Sequence, residues 1–97
     1  MQDKQQDEFY NKLRRQLEKL DKWPGPYLFK FILPTTHEKE LQKLSSLFDD
    51  MGAVIKTKQS SKGKYTSVSI HVKMKSPEDV VEKYKEVGQE VDGVISL

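Results

Sequence analysis

Two alternating runs, A53-V54-I55-K56-T57-K58-Q59 and Y65-T66-S67-V68-S69-I70-H71-V72-K73-M74, are separated by only S60-S61-K62-G63-K64. Alternation with a period of two places successive side chains on opposite faces of a strand, so each run reads as a strand with one buried and one wet face. The short connection contains Gly63, which can take the positive φ that tight turns require. The segment is therefore a hairpin, and its turn sets the register of both strands.

The rest of the chain supplies the partners of that hairpin. Y27-L28-F29-K30-F31-I32-L33 is aromatic-rich and bounded by prolines, which favours a strand. After Pro34, the Thr35-x-x-Glu38 spacing predicts a capping box, and Leu41, Leu44, Leu47, Phe48 and Met51 follow helical spacing up to Gly52. Ser76 is the expected N-cap of another helix, with Pro77 at its first position and Val80, Val81, Tyr84 and Val87 as its apolar stripe, ending near Gly88. V91-D92-G93-V94-I95-S96-L97 alternates like a last strand. Ahead of all this, from about Asp3 to Leu20, Phe9, Leu13, Leu17 and Leu20 recur at intervals that predict an amphipathic helix, stopped by W23-P24-G25-P26.

The order after the first helix is β-α-β-β-α-β. This predicts an α+β, ferredoxin-like βαββαβ sandwich: a four-stranded antiparallel sheet, two helices on one face and an extra N-terminal helix. The expected division is residues 1–22 for that helix and 23–97 for the domain. Strand parity predicts a core face of Phe29, Phe31, Ile55, Val68, Ile70, Val72 and Ile95. The opposite face then carries Leu28, Lys30, Ile32, Val54, Lys56, Lys58, Tyr65, Ser67, Ser69, His71, Lys73 and Val94. The four apolar residues of the first helix need cover, and Leu28, Ile32, Val54, Tyr65 and Val94 are its expected landing site on the open face.

Ninety-seven residues with 35% hydrophobic content suit one modest core. No run approaches the roughly 20 apolar residues of a membrane span, and the polar start MQDKQQDEF lacks the apolar stretch of a signal peptide, so a cytoplasmic protein without membrane attachment is expected. Having no cysteine, the chain excludes disulfides, thiolate metal sites and thiol nucleophiles. The net charge of +2 hides an uneven distribution: Ala53 to Lys75 holds six lysines and no acid, whereas Ser76 to Leu97 holds six acids and two lysines. A basic hairpin and an acidic C-terminal unit result, which could also meet across a homodimer.

W23-P24-G25-P26-Y27 followed by F29-K30-F31, and the hairpin S60-S61-K62-G63-K64-Y65-T66-S67-V68-S69-I70, resemble the small bacterial YbeD-like proteins. That resemblance covers roughly Trp23 to Leu97. It implies the βαββαβ fold, a shape like that of ACT regulatory domains, and no assigned biochemical activity. L33-P34-T35-T36-H37 lacks the glycine that ACT domains place after their first strand to approach an amino-acid ligand.

Several kinds of chemistry can be weighed residue by residue. His37 and His71 are the only imidazoles and fall at opposite strand ends, about 20 Å apart at roughly 3.3 Å per residue, so they share neither a metal nor a proton. No catalytic residue, metal ligand or cofactor is expected, and an enzyme is not. Gly63-Lys64 fails as a phosphate loop because Lys58 stands where the upstream glycine is needed and Tyr65 where a Ser or Thr is needed. An RNA-reading strand would need aromatics at the positions of Ser67, Ser69 and His71. Binding is what remains. The candidate site for a protein partner or small anion is Lys56, Lys58, Ser60, Ser61, Lys62, Gly63, Lys64, Tyr65, Ser67 and Ser69, and the alternative is RNA contact through the same lysines.

Overall fold

The structure, a computed structural model, describes residues 4–20 and 22–96. The expected helix start at Asp3, Asp21 in the expected 1–22 helical unit and the expected last strand residue Leu97 lie outside them. In chain order the elements are α1 (Lys4–Glu18), β1 (Gly25–Pro34), α2 (Glu38–Ser46), a 3-10 turn (Asp49–Met51), β2 (Val54–Gln59), β3 (Tyr65–Met74), α3 (Pro77–Glu90) and β4 (Ile95–Ser96). One antiparallel sheet is ordered β2-β3-β1-β4, an arrangement compatible with the ferredoxin-like plan.

The two long strands form the centre, paired from Gly25↔Met74 to Pro34↔Tyr65. Their alternation sends Phe29, Phe31, Leu33, Val68, Ile70 and Val72 to one face, where all are buried. Val80, Val81, Tyr84 and Val87 of α3 cover them, joined by Leu44 of α2 and by Phe48. The Phe29 ring meets those of Phe48 and Tyr84 at 5.2 and 5.0 Å between centroids. Burying each such side chain contributes about 1.5–3 kcal/mol, so this aromatic layer is a substantial source of stability. Tyr84 and Tyr27 satisfy each other through hydroxyls 3.1 Å apart, and burial, reinforced by the Tyr27 hydroxyl, pushes the Tyr84 phenol far up in pKa. Ser76 caps α3 as expected by accepting the Asp79 N–H at 3.2 Å.

Four expectations need correction. At α2 there is no capping box: His37 is the N-cap, without a side-chain bond, because the Thr35 hydroxyl pairs with Thr66 at 3.0 Å across β1 and β3. The helix also stops at Ser46. Lys83 donates to the Leu47 carbonyl at 2.9 Å and sits over the Phe48 ring, fixing the chain as it turns Phe48 into the core, and left-handed Gly52 ends the following 3-10 turn. At the C-terminus, α3 runs past Gly88 to Glu90, and Val91 is a buried helix cap rather than a strand residue.

The third correction follows from that cap. With Gly93 turning the chain at φ 76°, the parity expected from Val91 onward is lost. Ile95 pairs with Ile32 and stands 55% exposed on the open face, while Val94 packs against the core. Ile55 packs against the core as expected, half-buried because β2 is the edge strand.

The fourth concerns α1, which packs against α3 and the core and leaves the open face of the sheet uncovered. Its inward stripe is Tyr10, Leu13 and Leu17, while Phe9 and Leu20 remain outside. The cause lies in the link. Trp23 Nε1 donates to the Leu17 carbonyl at 2.8 Å, and Lys22 Nζ donates to the Pro26 carbonyl at 2.8 Å, so the chain folds back on the end of α1. Gly25 permits that reversal, since a Cβ there would lie 2.2 Å from the Lys22 carbonyl oxygen.

Candidate functional site: the open face of the sheet

With the helices on the other side, the open face is read from the strand registers as rows running across the strands. One row is Leu28, His71 and Val54; the next is Lys30, Ser69 and Lys56; the third is Ile95, Ile32, Ser67 and Lys58. Tyr65, opposite Pro34, closes one end, and Lys73, opposite Pro26, the other. Rows two residues apart along a strand are about 6.6 Å apart. The pattern is apolar, cationic, then mixed, and no carboxylate occurs at any of these positions.

Two observations make this surface unusual for a small domain. Large apolar side chains are grouped on it: Val54 and Ile95 are each 55% exposed, Tyr65 49% and Leu28 39%, with half-buried Ile32 between them. Exposed apolar side chains gathered on one face mark interaction surfaces more often than a scatter of single residues does. Moreover, the salt bridges among the described residues involve Lys43, Lys83 and Lys85, so Lys30, Lys56 and Lys58 stand exposed without a carboxylate partner among them.

The hairpin tip is built by its own hydrogen bonds. Ser60 N–H donates to the Tyr65 carbonyl and Gly63 N–H to the Ser60 carbonyl, both at 2.8 Å, with Gly63 at φ 70°. Thr35 N–H donates to the Lys64 carbonyl at 2.9 Å, tying the tip to the end of β1. The Ser60 hydroxyl accepts from Tyr65 N–H and the Ser67 hydroxyl donates to the Lys58 carbonyl, each at 3.2 Å. These two serines thus hold the hairpin in shape. The Ser61 and Ser69 hydroxyls make no hydrogen bond among the described residues. Ile32, Lys58, Gln59, Ser60, Ser61, Tyr65 and Ser67 line an open recess of about 420 Å³ between the sheet face and the tip.

The structure does not gather the six lysines into one patch. Lys56 and Lys58 project from the open face, whereas Lys62 and Lys64 stand at the tip. Lys73 and Lys75 border a groove at the opposite end beside Asp50, Asp79, Glu82 and Glu86, where acids offset them. Lys30 on β1 joins the first pair across Ser69, a neighbour that runs of charge along the chain do not reveal. The signal for it was the face assignment of β1. Ile95 was missed because its strand parity was set from the wrong residue.

The two histidines remain apart: His71 lies between Leu28 and Val54, and His37 precedes α2 beyond the far end of β1, against Gly93. Among the described residues no group of three or more His, Asp or Glu could hold a metal ion, and no helix is long and apolar enough to cross a membrane.

The sequence profile described as "Protein of unknown function (DUF493)" matches residues 18–95. The chain belongs to the DUF493 family. This is the family of the YbeD-like proteins, so the resemblance carried by the hairpin and the W23-P24-G25-P26 segment holds. No curated protein matches the chain, and no solved structure does. The DUF493 match takes in the whole sheet up to Ile95 and begins at the last residue of α1.

Proposed function

We propose that this DUF493 protein is a non-enzymatic binding domain of ferredoxin-like, ACT-like shape, acting in the cytoplasm as a regulatory or adaptor module. It engages a protein partner or small anion through the open face of its sheet and the adjoining hairpin. One observation carries this reading: the apolar cluster Leu28, Ile32, Val54, Tyr65 and Ile95 is left uncovered and interleaved with Lys30, Lys56 and Lys58. Neither half of that pattern serves the fold. The core is complete on the other face, and although lysines on an edge strand such as β2 discourage unwanted strand addition, Lys30 is on an interior strand. For nucleic acid the same face offers Tyr65 and the His71 imidazole, about 20 Å apart along β3 and too distant to stack successive bases, while Phe29 and Phe31 are fully buried.

The test is affinity capture from cells with wild-type protein, with Lys30→Glu/Lys56→Glu, and with Lys39→Glu/Lys43→Glu on α2 as a matched charge change elsewhere. The captured set should shrink only with the first variant and should survive nuclease treatment. Loss on nuclease treatment would assign the face to RNA, and equal behaviour of the two variants would remove the face from the account.

A further inference from the structure

The identity of the occupant can be narrowed, given that the open face is the binding surface. We propose that this face receives an acidic amphipathic helix from a partner protein, lying along β3.

Charge sets the sign. Lys30, Lys56 and Lys58 face outward without a carboxylate among the described residues of the same face, so a complementary occupant carries acids. The apolar cluster adds a second requirement, since Leu28, Val54, Tyr65 and Ile95 are desolvated only by an occupant that has apolar side chains of its own. A bare polyanion or a small inorganic anion meets the first requirement and not the second.

Area and symmetry argue against a second copy of the domain. From His71 to Tyr65 the face extends about 20 Å along β3, and four strands at about 4.8 Å give at most about 19 Å across. Contact over that patch buries on the order of 800 Å² counting both partners, below the 1,200–2,000 Å² of stable interfaces, and in the range of a short docked segment. A two-fold axis through the face would also set Lys30, Lys56 and Lys58 against their own copies. Nor do the chain's own helices suit. The apolar stripe of α3 is buried, and α1, with its buried Leu17, carries more bases than acids.

Shape selects a helix lying along the strands. On the central strand β3 the face presents Ser67 and Ser69, small and half-buried, between the larger Lys30 and Ile32 of β1 and Lys56 and Lys58 of β2. The flanking strands are about 9.6 Å apart, close to the 10–12 Å diameter of a helix with side chains, and 20 Å accommodates about 13 helical residues. In that pose the apolar stripe meets Leu28 and Val54 on either side of β3 and Ile32 in the third row, its β1-side flank reaches toward Ile95 one strand further out, and acids on the two flanks meet Lys30 on one side and Lys56 and Lys58 on the other.

The test is a titration of isotopically labelled full-length protein, followed by amide NMR shifts. The first probe is a side-chain-stapled 14-residue helix with a leucine stripe and flanking glutamates. A stapled peptide of the same composition with the stripe scrambled, an extended acidic peptide, citrate and inorganic phosphate complete the set. The stripe-bearing helix should shift Val54, Ser67, Ser69 and Ile95, and Lys30→Glu/Lys56→Glu, verified as folded from its own spectrum, should weaken binding at least ten-fold. Equal binding of the scrambled helix overturns the inference. Shifts on this face by the extended peptide, citrate or phosphate, without shifts by the helix, overturn the helix and leave the face as a binding surface. If no probe shifts the face, both readings fall. Shifts there that grow with protein concentration alone would place a second copy on it and overturn the proposal.

Discussion

Leu17 in the last turn of α1 and Leu20 in the turn just after it lie three residues apart, and the periodicity of the sequence treats them alike. The structure separates them: Leu17 is 4% exposed within the core cluster, and Leu20 is 52% exposed. Leu17→Ala removes a buried side chain whose place, between α3 and the Trp23 link, cannot close without moving the helix. Buried Leu→Ala changes cost about 2–5 kcal/mol. For a chain that by length is worth about 5–15 kcal/mol, that is a large share. At roughly 5 °C per kcal/mol for a domain of this length, Tm should fall by about 10–25 °C. Leu20→Ala removes mostly wet surface and should stay within about 0.5 kcal/mol of wild type. Thermal melts followed by circular dichroism measure both. Emission from Trp23, the only tryptophan, adds a local readout, because its indole bonds the Leu17 carbonyl. Equal small shifts for the two variants would mean that α1 is not docked on its own domain, and the corrected account of this helix would fail.

Form and recruitment should separate at the hairpin. Gly63→Val, at φ 70°, forces a β-branched residue into left-handed backbone and should destabilise by about 1–3 kcal/mol in denaturant melts, whereas Lys58→Glu/Lys62→Glu/Lys64→Glu should leave Tm nearly unchanged because all three side chains are exposed and lack salt-bridge partners among the described residues. Acid stability should depend in part on Glu40. The Asp92 N–H donated to its Oε1 at 2.7 Å holds the carboxyl below the usual carboxylate range, with burial opposing and Lys43 assisting. A depressed folded-state pKa contributes stability that is present above the unfolded value, near 4.5, and is lost as pH falls through the folded one, so Glu40→Gln should flatten the stability–pH curve below about pH 5 in urea titrations.

The central hairpin and the cap of α3 were legible because each depends on short-range chemistry: alternation from Tyr65 to Met74, a glycine in the turn, and Ser76 followed by Pro77. What sequence did not reveal depends on contacts between distant segments. Thr35 had two uses, as a helix cap or as a partner for Thr66, and only the strand register decides between them. Leu17 and Leu20 are equivalent on a helical wheel until Trp23 reaches back to bond one turn of the chain. The face of Ile95 depends on a single turn at Gly93, where one residue of error exchanges core for solvent. Within the candidate site, the lysines of β2 and of the tip could be named from their charge run. Strand parity also put Lys30, Leu28, Ile32, Val54 and Tyr65 on their face; that the face is uncovered, and that Ile95 belongs to it, came only from finding α1 on the other side and from the register of β4.

The most direct test of the open face as the binding surface is site-specific photo-crosslinking in living cells. A photoreactive phenylalanine replaces Ser69 at the centre of the face in one strain and Gln16, exposed on α1, in another. The account predicts discrete, higher-mass protein adducts from position 69 that disappear with Lys30→Glu/Lys56→Glu, and none from position 16. Adducts from position 16 with none from position 69 would place the partner on the helical side and contradict it.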